Sequence, residues 1–361
     1  MASALGLARR GVGNVWPNPA VGCLIVQPAT SAGAARIVGR GWTQPGGRPH
    51  AETEALARAG AAATDATAYV TLEPCCHHGR TPPCAEALIA AGIGRVVVAC
   101  EDPDPRVAGK GIAALRAAGI EVGVGVGALE ARRINEGFFS RIERRRPFVT
   151  LKIASTLDAR IAARDGSSQW ITGEAARARG HLLRGQHDAV LVGIGTAIAD
   201  RPRLTCRLPG MALRQPVRVV MANRRVDTAI EGLDRKREGG PIWYVVGAGA
   251  SIAAPVVRDE TLIVADGADG RPDPHAVLRA LAEKGITRLL IEGGRAIATA
   301  FLRAGLVDRI VWFRAPSAIG EDGLPALGAL GVADIAHRLK FSRVSLTDCG
   351  DDVIEELRPT D

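Results

Sequence analysis

Residues 49–52 read PHAE, and residues 73–84 read EPCCHHGRTPPC. The first segment opens an Ala-rich stretch that predicts a helix over about residues 50–62, and a second helix is predicted to begin at Cys84. The run AYVTL (68–72) lies between these segments and predicts a strand. A strand between two helices is typical of an α/β sheet domain, so the chain is expected to begin with one.

The same two segments contain the ligands of a predicted zinc site. They match H-x-E followed by P-C and a second Cys, the pattern of zinc-dependent deaminases, with a longer gap between Cys75 and Cys84. Together with His50, these cysteines would leave the fourth tetrahedral position to water, as in catalytic zinc sites. Glu52 would then move protons to the ring and to the leaving ammonia. His50 and Glu52 share one site only at a helix N-terminus, because residues i and i+2 do not share a helix face.

Two alternatives remain open at this site. Cys76, His77 or His78 could complete a closed structural zinc site, which would leave the predicted acid–base residue without a role. Cys76 could also replace Cys75 as a ligand, although the position directly after Pro74 favours Cys75. We interpret the remaining cysteines as core or incidental thiols; these are Cys23, Cys100, Cys206 and Cys349.

Length and composition predict two domains. With 361 residues, of which 47% are hydrophobic, the chain can bury two cores. The polar stretch at residues 143–147 is the predicted join, which gives domains of 1–145 and 146–361. No apolar run predicts a membrane span or a signal peptide, and crowded cysteines favour metal binding over disulfides. A cytoplasmic protein is therefore expected.

The net charge of +8 does not by itself indicate a nucleic-acid partner. Arginines are spread along the chain, and only RIERRR (141–146) forms a run, which we interpret as a solvated linker. Six Phe and two Tyr offer little surface for base stacking. The composition favours small anionic molecules as partners.

The second half again alternates strands and helices, which predicts a mostly parallel central sheet. Helices are predicted over about residues 174–185 and 274–284 and after Gly294. Gly293 and Gly294 follow a strand and open a helix, so their N–H groups could bind a phosphate, although a plain tight turn would look the same. A standard Rossmann domain is not indicated, since the chain lacks G-x-G-x-x-G. The strand runs are FVTLKIAST (148–156), AVLVG (189–193), VRVVMA (217–222), IWYVVG (242–247), TLIVAD (261–266), RLLIE (288–292) and RIVWF (309–313).

Motifs in both halves resemble the bifunctional riboflavin-biosynthesis deaminase-reductases. PNPAVGC (17–23) and EDPDP (101–105) join the two zinc segments in resembling the deaminase half, while SQWITG (168–173) and T-x-x-x-D-x-P-x-L-T-x-R (196–207) resemble the reductase half. The resemblance implies an N-terminal cytidine-deaminase-like domain and a C-terminal dihydrofolate-reductase-like domain. It also implies Zn²⁺ and NADPH as cofactors and a homodimer or homotetramer.

Membership would imply two successive reactions. The first domain would deaminate 2,5-diamino-6-(5-phosphoribosylamino)pyrimidin-4(3H)-one to 5-amino-6-(5-phosphoribosylamino)uracil, and the second would reduce the ribosyl group to ribityl with NADPH. In the family, zinc is held by residues that match His50, Cys75 and Cys84, and the match of Glu52 is the acid and base. The likeness also implies that Asn18 holds the pyrimidine and that Arg80 or Asp102 holds the ribose phosphate.

The resemblance also implies the reductase residues. At NADPH it places Ala154, Trp170, Thr196, Asp200, Gly294, Arg295, Ala296 and Ile297. At the substrate it places Ser168, Arg184, Leu204, Arg207 and Glu292. We add Lys152 on chemical grounds, because a cation beside the reacting carbons would stabilise charge during hydride transfer.

Two departures from the family and two other functions complete the expectations. Ala159 stands where a glycine is expected, so a positive φ there would be strained. Residues 27–35 read as a lengthened hairpin.

A tRNA or nucleobase deaminase with a C-terminal binding domain would need a continuous basic groove, which the scattered charges do not suggest. A zinc-stabilised interaction protein would have no use for Glu52.

Overall fold

The computed structural model describes residues 1–29, 31, 33–77, 82–211, 214–222, 225–226, 239–252 and 260–360. The chain divides into two compact units, Met1–Arg145 and Arg146–Asp361. We call them the first and second unit and describe each by itself.

The first unit is a five-stranded sheet in the order β2-β1-β3-β4-β5 with helices packed on it. β1 pairs antiparallel with β2 and β3, whereas β3, β4 and β5 run parallel. The elements are α1 (Ala2–Ala8), β1 (Gly22–Gln27), β2 (Arg36–Trp42), α2 (Ala51–Ala59), β3 (Thr67–Val70), α3 (Cys84–Ala90), β4 (Arg95–Val98), α4 (Lys110–Ala117), β5 (Glu121–Val124), α5 (Ala128–Ile134) and α6 (Glu136–Arg144).

Two glycines of β2 bring α2 unusually close to the sheet. A Cβ at Gly39 would overlap the carbonyl oxygen of Ala55, and a Cβ at Gly41 would overlap that of Ala51. Ala51 and Ala55 are fully buried, so the small side chains of both elements let their backbones meet. This packing fixes the position of the first turn of α2, where His50 and Glu52 lie.

The second unit is built on a nine-stranded sheet in the order β13-β11-β9-β8-β14-β6-β15-β18-β17. All neighbours from β13 to β15 are parallel, and the last two strands are antiparallel. The elements are β6 (Phe148–Thr156), β7 (Arg160–Ala162), α7 (Glu174–Gly185), β8 (Ala189–Gly193), α8 (Ile194–Asp200), β9 (Val217–Ala222), β10 (Arg225–Val226), β11 (Ile242–Gly247), β12 (Ser251–Ile252), β13 (Glu260–Val264), α9 (Pro274–Glu283), β14 (Arg288–Ile291), α10 (Arg295–Arg303), β15 (Arg309–Ala315), β16 (Leu324–Pro325), β17 (Phe341–Cys349) and β18 (Asp352–Pro359).

The predicted α/β pattern and the mostly parallel sheet are confirmed, with differences at element ends. The helix predicted over residues 50–62 ends as α2 at Ala59, because Gly60 adopts φ 54° and the chain continues as a 3-10 turn. Residues 28–35 connect β1 to β2 where the lengthened hairpin was predicted, and Thr30 and Ala32 lie outside the described residues.

Ala159 adopts φ 60°, the conformation that a glycine would take without strain. It lies between β6 and β7, and its backbone N–H donates to the carbonyl of Thr156. The strain expected from the sequence is therefore present at this turn.

Within the part of the chain that the structure describes, none of the helices has the length and apolar character needed to span a membrane.

Candidate active sites

The three predicted zinc ligands meet in the first unit. Nδ1 of His50 lies 3.3 Å from Sγ of Cys84 and 3.6 Å from Sγ of Cys75, and the three ligand atoms lie within 4.8 Å of one another. Tetrahedral zinc with ordinary Zn–N and Zn–S bonds would separate such a nitrogen and sulfur by about 3.6 Å. The spacing and the donor set therefore fit a zinc ion.

Two helix N-termini position these ligands, as the sequence predicts. His50 is the N-cap residue of α2, and Cys84 is the first residue of α3. The backbone N–H of Cys84 donates to Sγ of Cys75 at 3.3 Å. The hydrogen bond from the Cys84 thiol, followed by those from His50 and from this backbone N–H, lowers the pKa of the Cys75 thiol to about 4.

The pKa of Cys84 is raised, because its thiol hydrogen-bonds to Cys75 and is buried. The two sulfurs thus share one proton. A divalent cation at this place would favour both thiolates.

Glu52 lies in the first turn of α2, beside the thiol of Cys84, and is only 4% exposed. Burial raises the pKa of its carboxyl to about 7. A carboxyl with this pKa can both accept and release a proton near neutral pH, which is what the predicted acid–base role requires.

Among the described residues, the structure shows no fourth ligand for the alternative of a closed structural zinc site. The metal-type cluster there contains His50, Cys75 and Cys84, while Sγ of Cys76 lies 3.7 Å from the carbonyl of Arg106. Nδ1 of His77 is buried without a partner, and His78 lies outside the described residues.

The other predicted deaminase residues lie on loops of the first unit. The amide of Asn18 packs against Gly47, close in sequence to His50, and a Cβ at Gly47 would overlap it. Asp102 is 8% exposed, and burial raises its pKa to about 6. Arg80 lies outside the described residues.

Glu73 is a residue that the sequence reasoning missed. Its carboxylate is 3% exposed and accepts backbone N–H groups from Asp102 (3.2 Å), Gly109 (2.9 Å) and Ile112 (3.1 Å). It therefore ties the loop that contains Asp102 to the segment that contains Cys75. The available signal was a carboxylate that directly follows the predicted strand AYVTL (68–72) and precedes Pro74 and the first predicted zinc cysteine.

The second unit contains a cavity of about 1090 Å³ at the carboxyl ends of its parallel strands. Glu292 follows β14 and Thr196 lies after β8, the edge at which open α/β sheets bind ligands. This volume exceeds that of a typical drug-sized site, so it fits a dinucleotide together with a second molecule. The predicted residues on its wall are Lys152, Ala154, Ser168, Trp170, Arg184, Thr196, Asp200, Leu204, Arg207, Glu292, Gly294 and Arg295. Ala296 and Ile297 continue α10 and are not part of the described wall.

Arg184 and Glu292 form a bidentate ion pair in this cavity. Nε and Nη2 of Arg184 donate to the two carboxylate oxygens at 2.6 and 2.7 Å, and Nη1 donates to the carbonyl of Thr205 at 3.2 Å. Although burial opposes ionisation, the guanidinium lowers the pKa of Glu292 to about 2. The fork of Arg184, predicted to bind a phosphate, is thus engaged by Glu292, whereas the side chain of Arg207 is exposed.

Lys152 faces the same cavity from β6. Burial lowers the pKa of its amine, which Glu292 partly offsets, and its Nζ lies 5.5 Å from the centre of the Phe313 ring. The structure thus places the Lys152 amine on the cavity wall, and its role in charge stabilisation stays a prediction.

The cavity wall also includes an exposed aromatic ring and a glycine turn. Trp170 is 68% exposed although the guanidinium of Arg177 stacks 4.8 Å from its ring centre. A Cβ at Gly293 would overlap Val192, so close packing requires that glycine. Gly294 then precedes α10 with φ 57°.

Comparison with known proteins identifies the chain's family. The RibD C-terminal domain family matches residues 147–354, and the cytidine and deoxycytidylate deaminase zinc-binding region matches residues 1–100. The riboflavin biosynthesis protein RibD of Aquifex aeolicus is 41% identical over 356 residues, 98% of this chain and 96% of the relative. The chain belongs to the RibD family.

Solved RibD structures are similar in fold to this chain and match nearly all of its residues. Acinetobacter baumannii RibD (form 2) has a TM-score of 0.87 and 36% identity, and covers 99% of this chain and 97% of its own. A Thermotoga maritima structure, described as a diaminohydroxyphosphoribosylaminopyrimidine deaminase/5-amino-6-(5-phosphoribosylamino)uracil reductase, has a TM-score of 0.83 and 34% identity, with 100% and 97% coverage. The predicted family and fold class are confirmed. The nucleobase or tRNA deaminase alternative is not favoured, because the C-terminal half matches RibD too.

Proposed function

We propose that the first unit deaminates the phosphoribosylamino-diaminopyrimidine at His50, Cys75, Cys84 and Glu52, and that the second unit reduces the product in its cavity. The bifunctional deaminase-reductase activity and the cofactors Zn²⁺ and NADPH are those of the RibD family to which the chain belongs. The observation that carries the site assignment is the meeting of three zinc-type ligands beside a buried carboxyl.

The chemistry proposed for the first unit depends on Glu52. When held by His50, Cys75 and Cys84, zinc supplies a Lewis acid that lowers the pKa of a coordinated water. Glu52 accepts one proton from the attacking water and gives it to the ring nitrogen, then accepts the second proton from the hydroxyl on the attacked carbon and gives it to the amino group, which leaves as ammonia. Its raised pKa favours this exchange, because a carboxyl that titrates near neutral pH is both acid and base.

The substrate of the first unit would be held by Asn18, Arg80 and Asp102. An amide such as that of Asn18 can pair with the donor and acceptor edge of a pyrimidine. The carboxyl of Asp102 suits a ribose hydroxyl better than the phosphate expected from the resemblance, since two anions repel each other. Arg80 is then the residue proposed for the phosphate.

In the second unit, NADPH supplies the hydride. We assign its binding to the wall around Trp170, Thr196, Asp200 and the residues 294–297, where an exposed aromatic ring and the N-terminus of α10 are available. Lys152 stabilises charge that develops on the substrate, and the Arg184–Glu292 pair holds the adjoining wall rigid. Ser168, Leu204 and Arg207 complete the proposed substrate side.

We propose that the enzyme is a homo-oligomer that pairs through β17. This edge strand exposes residues 342–348, and Val344 and Leu346 are 52% and 54% exposed. An exposed edge strand with apolar side chains is a template for pairing with a second copy. Light scattering should show an oligomer, and Leu346→Lys should shift it toward monomer.

We also propose a cytoplasmic location, which the seven free cysteines support.

A two-readout assay tests the division of labour between the units. Ammonia release and NADPH oxidation are followed separately for the wild type, for Glu52→Gln and for Glu54→Gln. The last variant alters a 24% exposed carboxylate of the same helix turn, which is paired with Arg58. Glu52→Gln should abolish ammonia release yet still reduce supplied deaminated product, while Glu54→Gln should retain both activities. Ammonia release by Glu52→Gln at the wild-type rate would refute the proposed site.

A further inference from the structure

His181 lies in α7, one helical turn before Arg184, so both side chains project from the same face of the helix. Both line the cavity of the second unit, together with Arg207. Neither the predicted ligand set nor the mechanism above uses His181. Because it lines the cavity with two arginines predicted to bind substrate, the tautomer and charge of its imidazole decide whether it can donate or accept a hydrogen bond there.

The hydrogen bonds of His181 determine its tautomer. Nδ1 lies 2.9 Å from the carbonyl oxygen of Thr205, which can only accept, so Nδ1 carries the proton and donates. The same carbonyl accepts from Nη1 of Arg184 at 3.2 Å. Burial, followed by the charges of Arg184 and Arg207, lowers the pKa of His181, so the ring is neutral at pH 7. Nε2 is therefore an unprotonated acceptor.

The groups around this ring are mainly donors. Arg184 and Arg207 carry only N–H groups, and the carboxylate oxygens of Glu292 already accept from Arg184. A ligand whose phosphate is bound by Arg207 still has hydroxyl groups on the adjoining carbons, and each hydroxyl needs an acceptor when it leaves water. Nε2 of His181 is such an acceptor, and its ring lines the same cavity as the two arginines.

We propose that Nε2 of His181 accepts a hydrogen bond from a ribosyl hydroxyl of the phosphorylated substrate, which makes His181 a specificity residue of the reductase. The assignment rests on the proposed substrate position beside Arg207. Its neutral ring adds no proton to the reaction, so its contribution is to the binding of the sugar chain.

Two substitutions separate the two nitrogens of the ring. In His181→Asn the amide nitrogen replaces Nδ1 and keeps the bond to Thr205, but the Nε2 acceptor is lost. In His181→Gln the amide reaches the Nε2 position and can present its oxygen, but the bond to Thr205 is lost. We expect His181→Asn to raise the KM for the deaminated substrate about 5- to 10-fold, the effect of one hydrogen bond, with the KM for NADPH unchanged. His181→Gln should stay within about twofold of wild type.

The full-length, zinc-loaded enzyme is used, and Arg207→Gln reports on the substrate position. If Arg207→Gln raises the KM and His181→Asn does not, the role of His181 is overturned and the substrate position stands. If neither variant changes the KM, the substrate position itself is wrong. If His181→Gln is impaired and His181→Asn is not, the residue only supports Thr205, which also overturns the proposal.

Deoxyribosyl substrates test the hydroxyl. Wild type should lose about 5- to 10-fold in kcat/KM with the analogue that lacks the bound hydroxyl, and His181→Asn should lose nothing further with that analogue. Equal losses in the two proteins with each deoxy analogue would mean that Nε2 binds no ribosyl hydroxyl, and the proposal would be wrong.

Discussion

Glu292 receives both prongs of the Arg184 guanidinium, at 2.6 and 2.7 Å, with side chains only 7% and 16% exposed. Arg146 and Asp308 form a second bidentate pair in the same unit, at 2.6 and 2.8 Å and with 16% and 8% exposure. The first pair lines the cavity and the second does not. Variants of the two pairs can therefore distinguish what a buried ion pair contributes to stability from what it contributes to activity.

We expect Glu292→Gln and Asp308→Asn to destabilise the second unit similarly, by about 3 kcal/mol, since each leaves a buried guanidinium without its counter-ion. Only Glu292→Gln should also lower reductase kcat/KM, by about 100-fold, because the cavity wall shifts. Denaturant unfolding and NADPH oxidation measure the two effects. Equal kinetic losses in both variants would show that the Arg184–Glu292 pair is merely structural.

Zinc content distinguishes Cys75 from Cys76. Cys75→Ser should remove bound zinc and ammonia release, because Sγ of Cys75 lies among the clustered ligand atoms. Cys76→Ser should retain about one zinc per chain, because Sγ of Cys76 is directed to the carbonyl of Arg106. Metal analysis by mass spectrometry after dialysis measures both. Loss of zinc from Cys76→Ser would instead support the closed, structural site.

Local patterns in the sequence were sufficient to predict which side chains meet at the candidate zinc site. The i and i+2 spacing of His50 and Glu52 required a helix N-terminus, and α2 begins directly after His50. Cys84 likewise opens α3. Such predictions succeed because helix geometry relates neighbours in the chain.

Contacts between distant positions could not be predicted in the same way. Arg184 and Glu292 are 108 positions apart, and only the parallel sheet brings them together. The sequence therefore suggested Arg184 as a free phosphate ligand, whereas its fork is engaged by Glu292. Glu73 was missed for the same reason, since its backbone partners follow 29 to 39 residues later.

The adjacent glycines Gly46 and Gly47 provide a matched pair that tests Asn18. Both have positive φ, 76° and 86°, so alanine is strained by about 1 kcal/mol at either. A Cβ at Gly46 meets nothing within 4 Å, whereas one at Gly47 would overlap the Asn18 amide. Gly47→Ala should therefore lower deaminase kcat/KM about 10- to 100-fold and Gly46→Ala should not. Ammonia release at varied substrate concentration measures this, and matching kinetics in the two variants would argue against a role for Asn18.

Glu73→Gln should loosen the loop from Asp102 to Ile112. An amide cannot accept at both positions of the carboxylate, so at least one buried backbone N–H loses its partner, at a cost of about 1–3 kcal/mol. We expect faster hydrogen exchange in residues 102–112 and a raised KM for the pyrimidine, with NADPH oxidation of supplied product unchanged. Glu121→Gln, at a 70% exposed position, is the control. Unchanged exchange in the loop would contradict the positioning role of Glu73.

His187 should make the stability of the second unit depend on pH. Its ring is 2% exposed and bonded to the carbonyl of Leu183 and to Thr150, and burial lowers its pKa to about 3. The unfolded chain has a histidine pKa of about 6.5, so below pH 6.5 it binds a proton that the folded unit does not, and stability falls as the pH falls toward 3. The slope for one proton is about 1.4 kcal/mol per pH unit. Hydrogen exchange of β8 and β14 between pH 5 and 7 measures the stability of this unit alone. His187→Gln should flatten the dependence of stability on pH. His275→Gln, at an exposed position, should leave that dependence unchanged. A wild-type slope in His187→Gln would assign the proton uptake to another group.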